Sequence, residues 1–386
     1  MNETAPIEGG GLLFLLSALT IGGSERKVVR LANALAGEGR QVVLAYLDGP
    51  ETLRSEVAAS VRLLHLRRAG KFSPGALLRL RDAVQAHGIE TVVSVNLYPA
   101  LYAGLLARYS RRLAHVRFAA SINTSSFGSR RAERRMVLYR PLLRSMDLLI
   151  FGAQYQRELW CRDYFQCGGP RSGVLYNGID TERFRRDGIA AWRVPGWPAS
   201  RVVIGAVGRL RREKSYDHLL HALARLRAQG LDAGVVIVGD GPQAQALGTL
   251  ASELGLGERV HFAGAVQDVR PYLAGFDLLA VTSTAVETFS NAALEALAMG
   301  CPVVSSDIGG MPEMIAAGGG VIYPRGDVAA LAGALQALAL SAPCRHALGE
   351  QARCAVVRRF SLGAMVASFR ALMEPPGELE RLEPSR

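Results

Sequence analysis

Two carboxylates eight residues apart, Glu287 and Glu295, bracket Thr288-Phe289-Ser290-Asn291 in a stretch that is otherwise small and apolar. On one continuous helix they would point about 80° apart and could not act as a facing pair. The residues before them, LLAVTST, read as a strand ending near Thr284. NAALEALAMG reads as a helix that Ser290 is placed to cap. Glu287 is then a free carboxylate in the loop, and Glu295 lies more than one turn inside the helix. Between them the amides of Phe289, Ser290 and Asn291 point out of a helix N-terminus, a setting that favours an anion such as phosphate. Acid, anion cradle and acid in sequence can address three parts of one elongated ligand. On spacing alone they read equally as a loop charge and a helix-surface charge.

A second cluster is GAVGRLRREKSYDHLL, where Gly208 and Arg209 end a strand and Lys214 precedes a helix beginning near Ser215. Arg209 offers a planar fork and Lys214 a mobile point charge, a combination suited to clamping a diphosphate leaving group. Arg211 and Arg212 beside them leave open a plain solvated basic turn. A third cluster is TIGGSER, in which Gly22 and Gly23 let a loop approach a ligand closely. It is not GxGxxG, and the chain holds no P-loop, which counts against NAD-dependent enzymes and NTPases. No D-x-D occurs either, so the Asp pair often used to hold a metal–nucleotide complex is missing.

These residues need elements to position them, and the chain supplies strand, glycine-bearing loop and helix in repetition. LLFLLSAL, the loop TIGGSER, the helix KVVRLANALAGEG and the strand QVVLAYL form a βαβ unit. GIETVVSVNL, VRFAASIN and DLLIFGAQ add further β-rich runs. The alternation stops at 176–198, which is rich in Gly, Pro and charge, then restarts at RVVIGAVGRL. The expected fold is α/β: two Rossmann-like domains with parallel sheets facing across a central cleft. The expected domains are residues 1–188, residues 189–360, and a helix with a polar tail over 361–386 that packs back toward the first domain. At 386 residues the length suits two domains.

The five cysteines form no CxxC or zinc-type spacing and read as buried small residues in a reducing compartment. The apolar run 11–21 is too short to span a bilayer and lacks a positive n-region, so the expected location is cytoplasmic. Net charge is +11, and residues 1–190 carry all of it, with 27 Lys and Arg against 16 Asp and Glu. Residues 191–386 balance at 18 each. The excess is densest in RYSRRLAHVRF and SRRAERRMVLYRPLLR, which suggests an anionic partner such as a membrane surface or a diphosphate-linked acceptor. Nucleic acid is not expected, because the arginines lack interleaved aromatic platforms.

Taken together, GGSERKVVRLANALAGEGRQVV, VLYNGID, VGRLRREKSYDHLLHAL, VIVGDGP, VHFAGAVQDVRPYLAGFDLLAVTST and ETFSNAALEALAMGCPVVSSDIGGMPEMI resemble glycosyltransferase family 4, in the family's order from about residue 12 to about 370. The resemblance implies the GT-B fold and retaining transfer of a sugar from a nucleotide-diphosphate donor, in bacterial cell-surface polysaccharide synthesis. It implies that Arg209 and Lys214 hold the donor diphosphate, with Gly208 beside them. Glu287 is the first acid of the family's Glu-x7-Glu element, at the transferred sugar. Phe289, Ser290 and Asn291 contact sugar and phosphates through their amides, and Glu295 holds the ribose hydroxyls. Gly22 and Gly23 face the donor from the other domain. The implied partners are a nucleotide sugar as co-substrate and a glycan or polyprenyl-diphosphate-linked acceptor. No metal or other cofactor is expected.

Two departures stand out. The family's EGFG is ETFS here, with Thr288 and Ser290 in place of glycines. Asn123 stands where many members have a histidine, so an acid–base role there does not carry over, although Asn123 can still hydrogen-bond a sugar or phosphate. A glycosidase pair is disfavoured, because its carboxyls must face each other across the scissile bond. A nucleotide-sugar epimerase of the same fold, and a non-catalytic sugar- or membrane-binding relative, are the alternatives.

Overall fold

The computed structural model describes residues 10–20, 22–123, 136–165, 169–285 and 287–374, with Leu138 described by its backbone alone. The described chain divides into two units. The first takes the residues up to Gly152, then Arg157–Gly178, then those from Leu362 onward. The second takes Ala153–Gln156 and Ile179–Ser361.

In the first unit, β1 (Gly11–Leu16), β2 (Val42–Tyr46), β3 (Arg62–His65), β4 (Ile89–Val95), β5 (Arg117–Ile122), β6 (Leu148–Phe151) and β7 (Arg171–Val174) form one sheet. Its order is β3-β2-β1-β4-β5-β6-β7, and every pairing is parallel. β1 reads GLLFLL and is buried at every position, as a central parallel strand covered on both faces must be. Leu13 and Leu15 point into a core with Val43, Val92, Phe118 and Trp160. Leu12, Phe14 and Leu16 point the other way, to Val28, Leu35 and Val93. The helix Leu362–Met373 completes that second face with Met365, Val366 and Phe369, and the rings of Phe14 and Phe369 lie 5.8 Å apart.

In the second unit, β8 (Val202–Val207), β9 (Ala233–Val238), β10 (Val260–Gly264), β11 (Leu278–Val281), β12 (Val303–Ser306) and β13 (Gly320–Tyr323) pair in the order β10-β9-β8-β11-β12-β13, again all parallel. Both sheets therefore reverse their winding once, between β1 and β4 and between β8 and β11. The loops at the carboxyl ends of those strand pairs are where open α/β sheets bind ligands.

The segment 179–201 packs on the second unit. Arg186 donates to the carbonyls of Ala274 and Phe276, and Trp192 donates its backbone N–H to the Pro271 carbonyl, with its ring tilted against that of Tyr272 at 4.6 Å. Trp197 lies so close to Gly234 that a Cβ there would come within 2.4 Å of the indole. The chain thus joins this unit at Ile179, although its composition reads as a boundary and the sequence reading keeps residues up to 188 with the first domain.

Cys301 is buried, but Cys344 and Cys354 are exposed on the helix Ala342–Arg359, whose buried positions are Gly349, Ala352, Ala355 and Val356. Their expected burial fails because they stand off that face, and Cys167 lies outside the described residues. Among the described residues no single helix is long and apolar enough to cross a membrane.

Candidate functional site

The expected site residues divide between the units. Gly22, Gly23 and Asn123 stand on the first, and Gly208, Arg209, Lys214, Glu287, Phe289, Ser290, Asn291 and Glu295 on the second.

On the second unit the loops after β8 and β11 are bound together at the winding reversal. Gly208 has φ 149°, and a Cβ there would meet the Tyr216 hydroxyl at 2.9 Å. Arg209 follows, with an exposed side chain. A 3-10 turn, Arg212–Lys214, then leads to Ser215, which takes left-handed angles (φ 48°, ψ 48°) and opens the helix Tyr216–Ala228. Three hydrogen bonds stitch this loop to the one after β11: Thr282 Oγ1 to the Lys214 carbonyl at 2.7 Å, the Thr284 N–H to the Glu213 carbonyl at 3.0 Å, and Ser215 Oγ with Thr284 Oγ1 at 2.6 Å. The stitching brings Lys214 Nζ to Glu287 Oε2 at 2.5 Å, and Ser283 Oγ donates to the same oxygen at 3.4 Å. Glu287 is therefore no free carboxylate, and Lys214 is not simply one arm of an open Arg–Lys clamp. Their side chains are 11% and 27% exposed, so the ion pair is largely withdrawn from water. Burial, reinforced by the Glu287 charge, pushes the Tyr216 hydroxyl well above its ordinary range.

Behind Glu287 lies a feature that sequence reasoning missed. Gly309 and Gly310, which follow β12, lie against the Glu287–Thr288 backbone. The Gly310 N–H donates to the Thr288 carbonyl at 2.9 Å. A Cβ on Gly309, whose φ is 57°, would fall 1.7 Å from the Glu287 carbonyl oxygen. Only glycine permits that approach. The signal in the sequence was a Gly-Gly pair two residues beyond the end of a strand.

The helix Asn291–Ala298 starts where the sequence places it. Ser290 caps it, its hydroxyl accepting the Ala293 N–H at 3.3 Å, which gives a reason for serine at this position. Phe289 is buried, with its ring edge-on to Phe360 at 5.3 Å. Glu295 is half-buried one turn into the helix, among the buried Ala293, Leu294, Ala296 and Leu297.

On the first unit, Gly22 is the extended N-cap residue of the helix Gly23–Gly37, and Gly23 is exposed. Asn123 follows β5. Beside it the chain leaves β4 at Asn96, whose angles (φ 69°, ψ 171°) belong to a region almost reserved for glycine. The Asn96 N–H donates to the Ser121 carbonyl at 2.7 Å, tying the ends of β4 and β5 together. Asn96 is a second residue the sequence reading missed. Its only signal was an Asn, a type that tolerates positive φ, between a strand and a helix. Among the described residues, no three His, Cys, Asp or Glu side chains gather as a metal-ligand set.

Residues 21–183 match the model of Glycosyltransferase Family 4, and residues 201–340 that of Glycosyl transferases group 1. The chain is 33% identical to the lipopolysaccharide core biosynthesis glycosyltransferase LpsE of Rhizobium meliloti, over 91% of this chain and 96% of that protein. It is 30% identical to the GDP-mannose-dependent alpha-(1-6)-phosphatidylinositol monomannoside mannosyltransferase of Mycolicibacterium smegmatis, over 63% of this chain and 65% of that protein, just under two-thirds of the relative's length. Among solved structures, HepE of Anabaena in complex with UDP superposes with a TM-score of 0.76 at 19% identity, covering 93% of this chain and 98% of that one, a likeness of fold. Two parallel-sheet units, a family model on each and a full-length relative agree: the chain belongs to glycosyltransferase family 4 and has the GT-B type of fold.

Proposed function

We propose that the protein moves a hexose from a nucleotide-diphosphate donor to a glycan or polyprenyl-diphosphate-linked acceptor, with retention at the anomeric carbon and without a metal. The setting is bacterial cell-surface polysaccharide synthesis on the cytoplasmic side of the membrane. The observation that carries this reading is the meeting of Lys214 and Glu287 at the winding reversal of the second sheet, beside the capped start of the helix Asn291–Ala298. A lysine has three N–H donors, so Lys214 can keep Glu287 in place while donating to a phosphate oxygen. Arg209, exposed on the same loop, adds a fork for the diphosphate. Together with the helix start they stabilise the negative charge that grows on the leaving group as the anomeric C–O bond breaks. A phosphate oxygen of the departing diphosphate accepts the acceptor hydroxyl's proton, and the new bond forms on the face the leaving group vacates. Glu287 orients the sugar and stabilises positive charge at its anomeric carbon, and Glu295 takes the ribose hydroxyls. On the first unit, the Gly22–Gly23 loop would admit a close-lying ligand and Asn123 would hydrogen-bond a sugar or phosphate.

The names of the relatives support the reading, one for a lipopolysaccharide core and one for GDP-mannose, as does UDP in the HepE structure. The test is a thermal-shift panel of nucleoside diphosphates and nucleotide sugars, followed by transfer assays on Glu287→Gln. A matching nucleotide at about a hundred times its Kd stabilises the protein by about 2.7 kcal/mol. Glu287→Gln should keep that shift and lose transfer by about 10²-fold or more. The reading fails if no nucleotide shifts the melting curve, or if Glu287→Gln transfers at the wild-type rate.

A further inference from the structure

The helices Pro74–Ala86, Asn291–Ala298 and Ala342–Arg359 each begin at a serine, Ser73, Ser290 and Ser341. All three serines have extended backbone, and each hydroxyl accepts an N–H of the first turn at 3.2 or 3.3 Å. That is how a serine stabilises a helix start. Ser215, before the helix Tyr216–Ala228, does neither. Its backbone is left-handed, a conformation that favours glycine, and its side chain caps nothing. Among the described residues of the second unit it is the one non-glycine with a positive φ. Strain and a missing cap both weaken the local structure, so the serine serves something beyond its own helix.

Its hydroxyl reaches across to the neighbouring loop instead. Ser215 is buried, and its Oγ meets Thr284 Oγ1 at 2.6 Å while donating to the Arg212 carbonyl at 3.3 Å. Of the three stitches between the loops after β8 and β11, this is the one made by two side chains. The other two end on the carbonyls of Lys214 and Glu213, which any residue at those positions would supply. Ser215 follows Lys214 directly, and Thr284 stands three residues before Glu287. The hydroxyl pair is therefore a bridge placed beside the Lys214–Glu287 ion pair. A bond this short, largely withdrawn from water, tolerates little displacement of either loop.

We propose that Ser215 is a positioning residue of the transferase site. Its hydroxyl, latched to Thr284, sets the spacing of the Lys214 and Glu287 loops, and so the place where the Lys214 ammonium is held. Lys214 has to keep Glu287 in place and donate to a phosphate oxygen at the same moment. A shift of about an ångström in its loop forfeits one contact or the other. The left-handed backbone is what aims the hydroxyl at Thr284, and a glycine would relax the backbone but release the latch. This role rests on the transferase reading of the same site.

The test compares Ser215→Gly with Thr284→Val, with Thr284→Ser and with the double variant Ser215→Gly/Thr284→Val, all in the full chain. One readout is transfer kinetics with the nucleotide sugar that the thermal-shift panel selects. The other is acetylation of Lys214 by limiting acetic anhydride, read by peptide mass spectrometry with the exposed Lys71 as internal standard. Ser215→Gly and Thr284→Val should each lower kcat at least tenfold, change KM less than threefold, and raise Lys214 labelling at least threefold. Thr284→Ser, which keeps a hydroxyl, should stay within twofold of the wild type in both readouts. The double variant should be no worse than either single one, because both remove the same bond. Losses that multiply in the double variant would overturn the latch. So would unchanged Lys214 labelling in Ser215→Gly, or wild-type transfer despite raised labelling. A kcat loss that only follows a fall in the folded fraction, read from melting curves, would make Ser215 structural and overturn its positioning role. If the wild type responds to no nucleotide and transfers no sugar, the transferase reading falls by itself, and the labelling still decides whether Ser215 holds Lys214.

Discussion

Lys27 is one of only three lysines in the chain, and it is buried at the start of the helix Gly23–Gly37, where it donates to the Leu175 carbonyl. Burial pushes its ammonium down from 10.5 to about 7. Below pH 7 the folded and unfolded states both carry the charge, and the fold bears the full cost of burying it. Between pH 7 and 10.5 the folded side chain is neutral while the unfolded one still binds a proton, so stability rises with pH. Lys27→Met should therefore raise the melting temperature most at pH 6, by at most about 5 kcal/mol in stability, and the gain should shrink as pH approaches 10. Melting curves of both proteins across that range check it, and a pH-independent gain would exclude the charge as the cause. SERKVV gave no sign of this burial, since lysine stands on surfaces in nearly all settings. The same limit hid the partner of Glu287. Loop acid and capped helix were readable from local residue types, but the pairing with Lys214, 73 residues away, depends on which strands lie side by side.

At the level of elements, the Glu287 loop depends on a neighbour that has no side chain. Gly309→Ala places a methyl group into the Glu287 carbonyl at a positive φ, which forces the acid's own backbone to move. The expected outcome is a loss of transfer of about 10²-fold, of the kind that follows an ångström of misplacement, with the Glu287 side chain intact. Kinetics at saturating donor, with circular dichroism as a check on folding, measure it, and wild-type turnover would show that the loop does not depend on this contact. Legibility among elements followed burial. β1 and β9 are buried throughout and were plain as apolar runs. β3, read as RLLH, and β7, read as RSGV, are partly exposed and carry charge or small polar residues. They were invisible because their place is fixed by sheet neighbours and not by an apolar pattern of their own.

For the whole molecule, the restart of the strand–helix alternation near residue 201 announced two sheets, and composition marked the region between them. It could not show that Trp192 and Trp197 bind that region to the second unit, because tryptophan contacts are settled by tertiary packing. The first unit, in turn, is built from both ends of the described chain. Phe369→Ala should destabilise it by about 3–5 kcal/mol, the usual range for losing a buried aromatic. Calorimetry with and without a nucleoside diphosphate separates the units. The melting step that nucleotide does not raise should move down, and the nucleotide-responsive step should stay. A uniform drop of both would mean that the two unfold as one.

That split construction has a consequence for synthesis. A ribosome delivers β1 and its neighbours first, yet the helix that covers one of their faces emerges only after Ile179–Ser361 has been made. Until then Phe14, Leu35 and their neighbours lack the cover of Phe369 on the nascent chain. The unit made first is the last to be finished, and for that interval it presents the apolar surface that chaperones bind.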